Sequence, residues 1–222
     1  MGGGIACGGR KLRPLALFLT AAGQACLLGA IELLGRLGLG PEQTRRLAHM
    51  AGACGVAVLP WFLSLTELGA LAVVFTGLLA WTRKIRQLPS VHAVQRPTLG
   101  ALVFPAGLFL GAWVAWGHPL AIAYAALVLA LADPCAAWVG DRLRGPGWNV
   151  VGGSKTVVGT AAFLFVTVLV GVVLTAHSPG RLPLVVAAGL ALAAVEGSVG
   201  YGLDNLPIPP VASLLATGWL SL

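Results

Sequence analysis

The stretch PTLGALVFPAGLFLGAWVAWGHPLAIAYAALVLALA, residues 97–132, contains no Asp, Glu, Lys or Arg. Its 36 residues are too many for one membrane-spanning helix, which needs about 20 apolar residues. The tripeptide Gly117-His118-Pro119 lies inside the stretch, and its glycine and proline are typical of a break between helices. The stretch therefore predicts two consecutive membrane-spanning helices joined by a tight turn.

The composition of the whole chain extends this prediction. Of the 222 residues, 58% are hydrophobic and only 9% are charged, whereas soluble domains carry roughly 25% charged residues. So few charges cannot cover the surface of a soluble globular domain, and they also exclude a disordered chain and a coiled coil. The composition therefore predicts an all-α polytopic membrane protein.

Other charge-free stretches place the remaining spans. Two of them lie on either side of Glu67, are together too long for one helix, and predict a hairpin of two helices. The third and seventh spans are short, so the prediction is a transmembrane helix bundle of seven or eight spans. The predicted spans cover residues 15–31, 47–66, 68–82, 97–132 (two spans), 156–176, 182–195 and 206–222.

The distribution of Lys and Arg predicts the orientation of the bundle. With eight spans, the odd-numbered loops share one face of the membrane, and ten of the 14 basic residues lie there. Because cytoplasmic loops are enriched in Lys and Arg, the odd loops are predicted to be cytoplasmic. The basic N-terminal segment, residues 1–13, counts against this orientation. The net charge of +7 indicates topology and attraction to anionic membrane lipids, and no nucleic-acid partner is predicted.

Most of the few acidic residues gather on one side of the predicted bundle. A charge in the middle of a membrane costs about 2.5–3.5 kcal/mol on insertion scales, so a chain with no polar task has little reason to place several near one face. The clustering predicts a functional site at the cytoplasmic membrane boundary. Its members are Glu42, Asp133, Asp141, Glu196 and Asp204, joined by His49, Lys155 and Asn205.

The densest polar segment combines Asp133 and Asp141 with the sequence Gly153-Ser154-Lys155-Thr156. Carboxylate oxygens bind Mg²⁺, and glycine amides and a lysine neutralise phosphate oxygens. In a straight helix the two aspartates lie about 12 Å apart. At this separation one metal ion could not easily bind both aspartates, whereas a triphosphate carrying its metal could contact both. A break of the helix at Pro134 would bring them closer. The segment predicts a magnesium–phosphate site.

Each of these residues also has a structural interpretation. Asp133 could cap a helix that begins at Pro134, and Asp141 could be a solvated charge that pairs with an arginine just after it. Lys155 could be the basic flank of the sixth span. Its surroundings resemble the end of a Walker A loop, but Ser154 replaces the glycine of that motif and no strand is predicted before it.

The segment that enters the second span carries Glu42, Arg45, Arg46 and His49. Their spacing lets them share one face of a helix. A basic anchor at the cytoplasmic boundary with an incidental histidine explains the same pattern. The anchor interpretation also applies to Arg96, which precedes the fourth span.

The segment after the seventh span carries Glu196, Asp204 and Asn205. Asp and Asn next to glycines suit a turn or a helix cap as well as a site. Glu196 is harder to explain structurally, because it directly follows an apolar run. The segment is therefore a candidate for the same boundary site.

Four of these segments follow one another in a fixed order along most of the chain. They are Glu42…Arg45-Arg46…His49…Gly52; Arg96-Pro97-Thr98-Leu99-Gly100-Ala101…Phe104-Pro105; Asp133-Pro134…Ala137…Gly140-Asp141 leading to Ser154-Lys155-Thr156…Gly159-Thr160; and Glu196…Gly202-Leu203-Asp204-Asn205…Pro209. Together they resemble the membrane-embedded lipid-alcohol kinases, a family that includes phytol, farnesol and dolichol kinases and the CTP-dependent diacylglycerol kinase. Three features depart from the family pattern. Ala132 precedes Asp133-Pro134 where the kinases usually have glycine, Asp141 stands where they often have arginine, which weakens its assignment as a ligand, and the linker 144–153 is unusual.

This resemblance implies an enzyme that transfers a phosphoryl group from CTP or another nucleotide to an isoprenoid alcohol such as phytol, farnesol or a polyprenol. It implies one transmembrane catalytic domain, residues 14–222, with Mg²⁺ as cofactor and the active site on the cytoplasmic side. It leaves open whether His49 or an aspartate is the base, and Glu196 would orient Lys155 or an arginine. The implied residues are Asp133, Lys155, Asp204 and His49 for catalysis; Arg45, Arg46, Arg96, Gly153, Ser154, Lys155, Thr156 and Asn205 for the nucleotide and its phosphates; and Asp133, Asp141, Asp204 and Glu196 for the metal.

Two other functions compete with this one. The related phosphatidate cytidylyltransferases make CDP-diacylglycerol, but their extra Lys-Asp and His-Gly-Gly-like elements are not recognisable in the chain. A small membrane transporter would place its polar groups near the bilayer midplane between repeated halves. The chain has no visible repeat and its charges gather at one boundary, which disfavours transport.

Overall fold

The computed structural model of the chain describes residues 13–92, 98–176 and 178–220. Over these residues the chain forms a bundle of helices with one pair of short strands, so the all-α prediction is confirmed for the body of the molecule. The elements are α1 (Pro14–Arg36), α2 (Pro41–Val58), α3 (Leu65–Lys84), α4 (Pro89–His92), α5 (Gly100–Val114), α6 (Pro119–Leu143), β1 (Gly147–Val150), β2 (Gly153–Thr156), α7 (Val157–Leu174), α8 (Leu182–Glu196) and α9 (Ile208–Leu220).

Four helices, α1, α3, α6 and α7, are long and apolar enough to cross a membrane, judged by length and composition. The others differ in length or charge. Helices α5 and α8 have 15 residues each and α9 has 13, while the 18-residue α2 carries Glu42, Arg45 and Arg46 near its start. The chain thus has the helices of a membrane protein. The number of seven or eight spans and the face toward the cytoplasm stay predictions.

The predicted division of this region into two helices is found, but the turn between them lies at residues 59–64 and Glu67 is in the first turn of α3. Helix α2 is followed by a 3-10 turn at Leu59–Trp61, and α3 begins directly after Ser64. The Ser64 hydroxyl accepts a hydrogen bond from the backbone N–H of Glu67, whose carboxylate accepts the Ser64 backbone N–H in return. This reciprocal pair is a capping box. Because the same carboxylate also accepts the backbone N–H of Arg13, helix capping explains this buried acid.

Helix α6 is the centre of the bundle and packs against α2, α7 and α9. Seven of its buried residues are alanines, whose small side chains let neighbouring helices approach closely. The helix begins at Pro119, which confirms the predicted break at Gly117-His118-Pro119. It then continues through Pro134 to its end. The interpretation of Asp133 as an N-cap and the alternative of a helix break at Pro134 are therefore wrong.

Strands β1 and β2 form an antiparallel hairpin that pairs Trp148 with Lys155. The expectation that no strand precedes Lys155 is therefore wrong. The turn needs glycine at Gly152, where φ is +87° and an added Cβ would lie 1.7 Å from the ring of Tyr201. The Trp148 side chain donates a hydrogen bond to the carbonyl oxygen of Gly197, at 2.8 Å. These contacts fasten the hairpin to the α8–α9 segment and fix the position of Lys155.

Helix α5 is in close contact with the segment that leads into α9. A Cβ on Gly107 would lie 1.9 Å from the carbonyl oxygen of Asn205, and one on Gly111 would lie 3.1 Å from Pro209. Glycines at such points let two backbones approach more closely than any side chain would allow. The contact holds Asn205 against α5, at the edge of the polar cluster described next.

Candidate active site

Lys155 binds two buried carboxylates from different parts of the chain. Its Nζ atom donates to Oε1 of Glu196 at 2.6 Å and to Oδ2 of Asp204 at 2.9 Å. Strand β2 supplies Lys155, the end of α8 supplies Glu196, and a 3-10 turn at Leu203–Asn205 supplies Asp204. The two carboxylates are only 3% and 5% exposed. The structure thus brings Lys155, Glu196 and Asp204 together; the orienting role of Glu196 that the resemblance implies stays a prediction.

Two opposing effects act on the pKa of Lys155. Burial alone lowers this pKa, because it removes water from the ammonium group, but the negative charges of Asp204 and Glu196 and their hydrogen bonds outweigh it. The pKa is therefore raised above its ordinary value of 10.5. Lys155 keeps its positive charge at neutral pH, as a phosphate-neutralising group must.

The remaining oxygens of the two carboxylates also have partners. The hydroxyl of Thr160 donates to Oε2 of Glu196 at 3.0 Å, and the backbone N–H of Asn205 donates to Oδ1 of Asp204 at 3.1 Å. Sequence reasoning assigned no role to Thr160. Its position four residues after Thr156, one turn along the start of α7, is the signal that would have placed it near Lys155.

Asp133 is the carboxylate of the cluster that accepts no hydrogen bond from the described residues. It interacts electrostatically with Asp204, Lys155, Glu196 and Arg45, and its side chain is 23% exposed. Among the residues that the structure describes, none donates a hydrogen bond to it; Nε2 of His49 lies 3.7 Å from its Oδ2. An unpartnered, largely buried carboxylate is costly, which is typical of a group that binds a ligand.

His49 lies on α2 with its ring held in a fixed orientation. Its Nε2 atom is 2.8 Å from the carbonyl oxygen of Leu129 on α6. A carbonyl oxygen only accepts, so Nε2 carries the hydrogen and Nδ1 of the neutral ring keeps its lone pair. The ring of Phe104 packs against it with 4.8 Å between centroids. His49 thus has one nitrogen available to accept a proton.

Asn205 has one amide atom with a partner and one without. Its Nδ2 donates to the carbonyl oxygen of Gly100 at 3.2 Å, while its Oδ1 is buried and has no hydrogen-bond partner in the described chain. Buried polar atoms are nearly always satisfied in folded proteins. The free oxygen of Asn205 therefore points to a ligand that supplies the missing partner.

The two arginines of α2 have different surroundings. Arg45 pairs with Glu42 at 2.6 Å and also interacts with Asp133 and Asp204. Arg46 pairs with Glu42 and with Asp141, whose side chain is 60% exposed. Asp141 is thus held by Arg46 rather than by an arginine just after it, and it does not join the Lys155 cluster.

The other predicted phosphate-binding residues lie around the cluster or outside the described chain. The Thr156 hydroxyl caps α7 by accepting the backbone N–H of Gly159. Gly153 and Ser154 are exposed on β2. Arg96 falls outside the described residues, so its predicted role stays a prediction.

An apolar cavity opens beside the polar cluster. It contains about 1120 Å³ of space not filled by protein atoms, its open mouth included. Arg45, His49, Gly100 and Asn205 form its polar end. Further along, its wall is almost entirely apolar and comes from α1, α2, α3 and α5. Aromatic members of the wall are Phe75, Phe104 and Phe109.

The oxygen atoms of the cluster fit Mg²⁺ in part. The open carboxylate of Asp133 and the unpartnered oxygen of Asn205 are hard oxygen donors of the kind that Mg²⁺ prefers. Within the described ranges, no three His, Cys, Asp or Glu side chains converge into a metal-binding group. This agrees with the usual binding of Mg²⁺ by one or two carboxylates together with substrate phosphates.

Comparisons with known proteins identify the family of the chain. No family model matches the chain, and no solved structure matches it. The chain is 35% identical over 215 residues to a phytol kinase from Synechocystis sp., an alignment that covers 91% of this chain and 92% of the relative. Identity of this degree over nearly all of both proteins establishes common descent. The chain belongs to the lipid-alcohol kinase family of membrane proteins.

Proposed function

We propose that this protein transfers the γ-phosphoryl group of CTP, or of another nucleoside triphosphate, to the hydroxyl of an isoprenoid alcohol such as phytol, farnesol or a polyprenol. The supporting observation is that the apolar cavity lies directly beside the charged cluster around Lys155. Asn205 lines the apolar cavity, and the adjacent Asp204 binds Lys155 in the charged cluster. A lipid tail in the cavity would bring its hydroxyl to the charged residues that face a nucleotide.

Lys155 and Arg45 are the cations that neutralise the phosphates in this proposal. Phosphoryl transfer needs mainly correct positioning and stabilisation of the charge on the transferred group. Lys155 is rigidly held by Glu196 and Asp204, so it presents its charge without reorganisation. Arg45 lies at the cavity mouth, where it would reach the phosphate nearest the alcohol.

His49 is the proposed base. It lines the cavity in which the alcohol would bind, whereas Asp133 does not. As the hydroxyl oxygen forms its bond to the γ-phosphorus, Nδ1 of His49 takes the hydroxyl proton. The bond from the γ-phosphorus to its bridging oxygen breaks, and that oxygen leaves on the nucleoside diphosphate. Asp133 beside Nε2 stabilises the charge that the ring gains.

Asp133 and Asn205 are the proposed Mg²⁺ ligands. When bound with the nucleotide, Mg²⁺ supplies positive charge that offsets the negative phosphate oxygens. Asp204 and Glu196 instead keep Lys155 in place, because their oxygens already have donors. Asp141 is not a ligand in this proposal.

Product analysis tests the proposal. Purified protein in lipid vesicles receives radiolabelled CTP or ATP with phytol, farnesol, diacylglycerol or phosphatidic acid. The proposal predicts a phosphorylated isoprenoid alcohol together with a nucleoside diphosphate. Release of pyrophosphate with phosphatidic acid would instead identify a cytidylyltransferase, and uptake of the alcohol without use of nucleotide would identify a transporter.

A further inference from the structure

We infer that the closed end of the apolar cavity sets the longest isoprenoid alcohol that this protein accepts; the inference rests on the proposed function. Three helices that line the cavity run along its length. The end of α3 meets the start of α5 through a hydrogen bond from Arg83 to the carbonyl oxygen of Thr98. The start of α3 meets the later part of α5, where a Cβ on Gly69 would touch Phe109. Helices α3 and α5 are therefore antiparallel.

The start of α2 lies near the end of α3, because Thr44 donates a hydrogen bond to the carbonyl oxygen of Ser90 and the neighbouring His92 bonds to Thr82 on α3. Helices α2 and α3 are therefore antiparallel as well, so α2 runs in the same direction as α5. Their lining residues give two independent measures of the depth. Along α2 and into the 3-10 turn that continues it, the lining runs from Arg45 to Leu59, and on α5 it runs from Gly100 to Ala112. At 1.5 Å per helical residue these intervals are about 21 Å and about 18 Å. Both helices thus indicate a cavity about 20 Å deep, with Arg45, His49 and Asn205 at one end.

The closed end, hereafter the floor, consists of Leu59, Pro60, Leu68 and Ile122. The floor lies where the 3-10 turn between α2 and α3 meets the start of α6. Leu59, Leu68 and Ile122 are buried, and all four side chains are apolar. Such a floor suits the hydrocarbon end of a chain whose hydroxyl lies at Asn205 and His49. A longer chain would have to fold or push the floor apart.

Helix α3 offers three neighbouring positions for a test. Leu68 lies in the floor, and Ala72 lines the cavity one helical turn nearer the mouth. Leu68→Ala would deepen the cavity, and Ala72→Leu would shorten it by about 6 Å. Val73 is 74% exposed and is not part of the lining, so Val73→Ala changes the same helix without changing the cavity.

The experiment measures kcat/KM for isoprenoid alcohols that differ by one isoprene unit. Wild-type protein should show a drop of about tenfold or more once the chain exceeds the cavity, since poorly fitted apolar groups cost that much. Leu68→Ala should move the drop to longer alcohols and Ala72→Leu to shorter ones, while Val73→Ala leaves it in place. Ala72→Leu keeps the test decisive if Leu68→Ala does not fold.

Two results would count against different parts of the account. An identical length profile in all four proteins would overturn the inference and leave the kinase function intact. No phosphorylation of any isoprenoid alcohol by wild-type protein would instead overturn the proposed function on which the inference rests.

Discussion

The ammonium group of Lys155 and the carboxylate of Glu196 form a largely buried ion pair, with 2.6 Å between Nζ and Oε1. The two residues are 41 positions apart in the sequence. Their pairing joins the β-hairpin to the end of α8, and the same ammonium group also binds Asp204. Lys155 is therefore a structural connection as well as the proposed phosphate-binding cation.

Because Lys155 has these two roles, its effect on stability should be separable from its effect on phosphoryl transfer. Lys155→Met leaves two buried carboxylates without their cation, and loss of one partner of a buried pair costs about 3–5 kcal/mol. Adding Glu196→Gln removes one of the two negative charges and restores the net charge of the wild-type cluster. The double variant should therefore recover part of the lost stability, measured as the melting temperature in detergent, while phosphoryl transfer stays absent. Recovery of activity in the double variant would show that Lys155 is only structural.

The raised pKa of Lys155 predicts how stability depends on pH. A lysine whose pKa is raised by folding adds stability that is complete below its unfolded-state pKa and is lost as the pH rises through the folded-state value. The contribution of Lys155 should therefore be constant around neutral pH and fall only above its ordinary value of 10.5. Melting temperatures of wild type and Lys155→Met across this range check it. A difference between the two proteins that shrinks near neutral pH would contradict the assignment.

His49 as the base predicts a change in the pH profile. Removing a general base typically lowers the rate by about 10²–10⁴-fold. His49→Gln should lower kcat in this range and abolish the fall in activity on the acidic side, where the histidine of the wild-type protein becomes protonated. His92→Gln is the matched control, because His92 bonds to Thr82 away from the cluster. If the activity of His49→Gln still fell at acidic pH as it does in the wild-type protein, the base would be another residue.

The magnesium assignment distinguishes two aspartates on one helix. Asp133 is open within the charged cluster, whereas Asp141 pairs with Arg46 at the exposed end of α6. Asp133→Asn should raise the Mg²⁺ concentration needed for half-maximal activity, because a carboxylate ligand becomes a neutral amide. Asp141→Asn should not change that concentration. If Asp141→Asn raised this Mg²⁺ concentration and Asp133→Asn did not, the titration would support Asp141 as the ligand, as the sequence predicted.

The hairpin turn predicts a sharp difference between two adjacent glycines. Gly152→Ala places a methyl group against Tyr201 at a positive φ, whereas a Cβ on Gly153 meets no atom within 4 Å. Unfavourable backbone conformations cost about 1–3 kcal/mol each, so Gly152→Ala should lower the melting temperature clearly more than Gly153→Ala. Combining it with Tyr201→Ala should restore part of the loss. Equal melting temperatures for the two glycine variants would contradict this structure of the turn.

Much of the fold follows from charge-free stretches, because a helix in lipid must satisfy its backbone internally and carry apolar side chains. This argument located the break before Pro119. It also predicted two helices around Glu67, although the turn between them lies at residues 59–64. It did not locate the strands at Gly147–Val150 and Gly153–Thr156, which are four residues long and mostly exposed, so they show no alternation of apolar and polar residues.

The sequence predicted that Lys155, Glu196 and Asp204 lie close together, and the structure shows this contact. The sequence also predicted Asp141 in the same cluster, whereas Asp141 pairs with Arg46. Which carboxylates bind the lysine, and which aspartate stays open, depends on helix packing that a single sequence does not contain. The pairing of Arg46 with Asp141, 95 positions away, and the depth of the cavity are further consequences of that packing.

The most direct test compares two lysines in the phosphoryl-transfer reaction itself. Radiolabelled γ-phosphate from CTP is followed into phytol for wild type, Lys155→Ala and Lys84→Ala; Lys84 is an exposed lysine at the end of α3. Wild type and Lys84→Ala should form the phosphorylated alcohol at similar rates. Lys155→Ala should be slower by about 10²-fold or more, as expected when a preorganised charge is removed. Equal rates for all three proteins would contradict the claim that the Lys155 cluster is the active site.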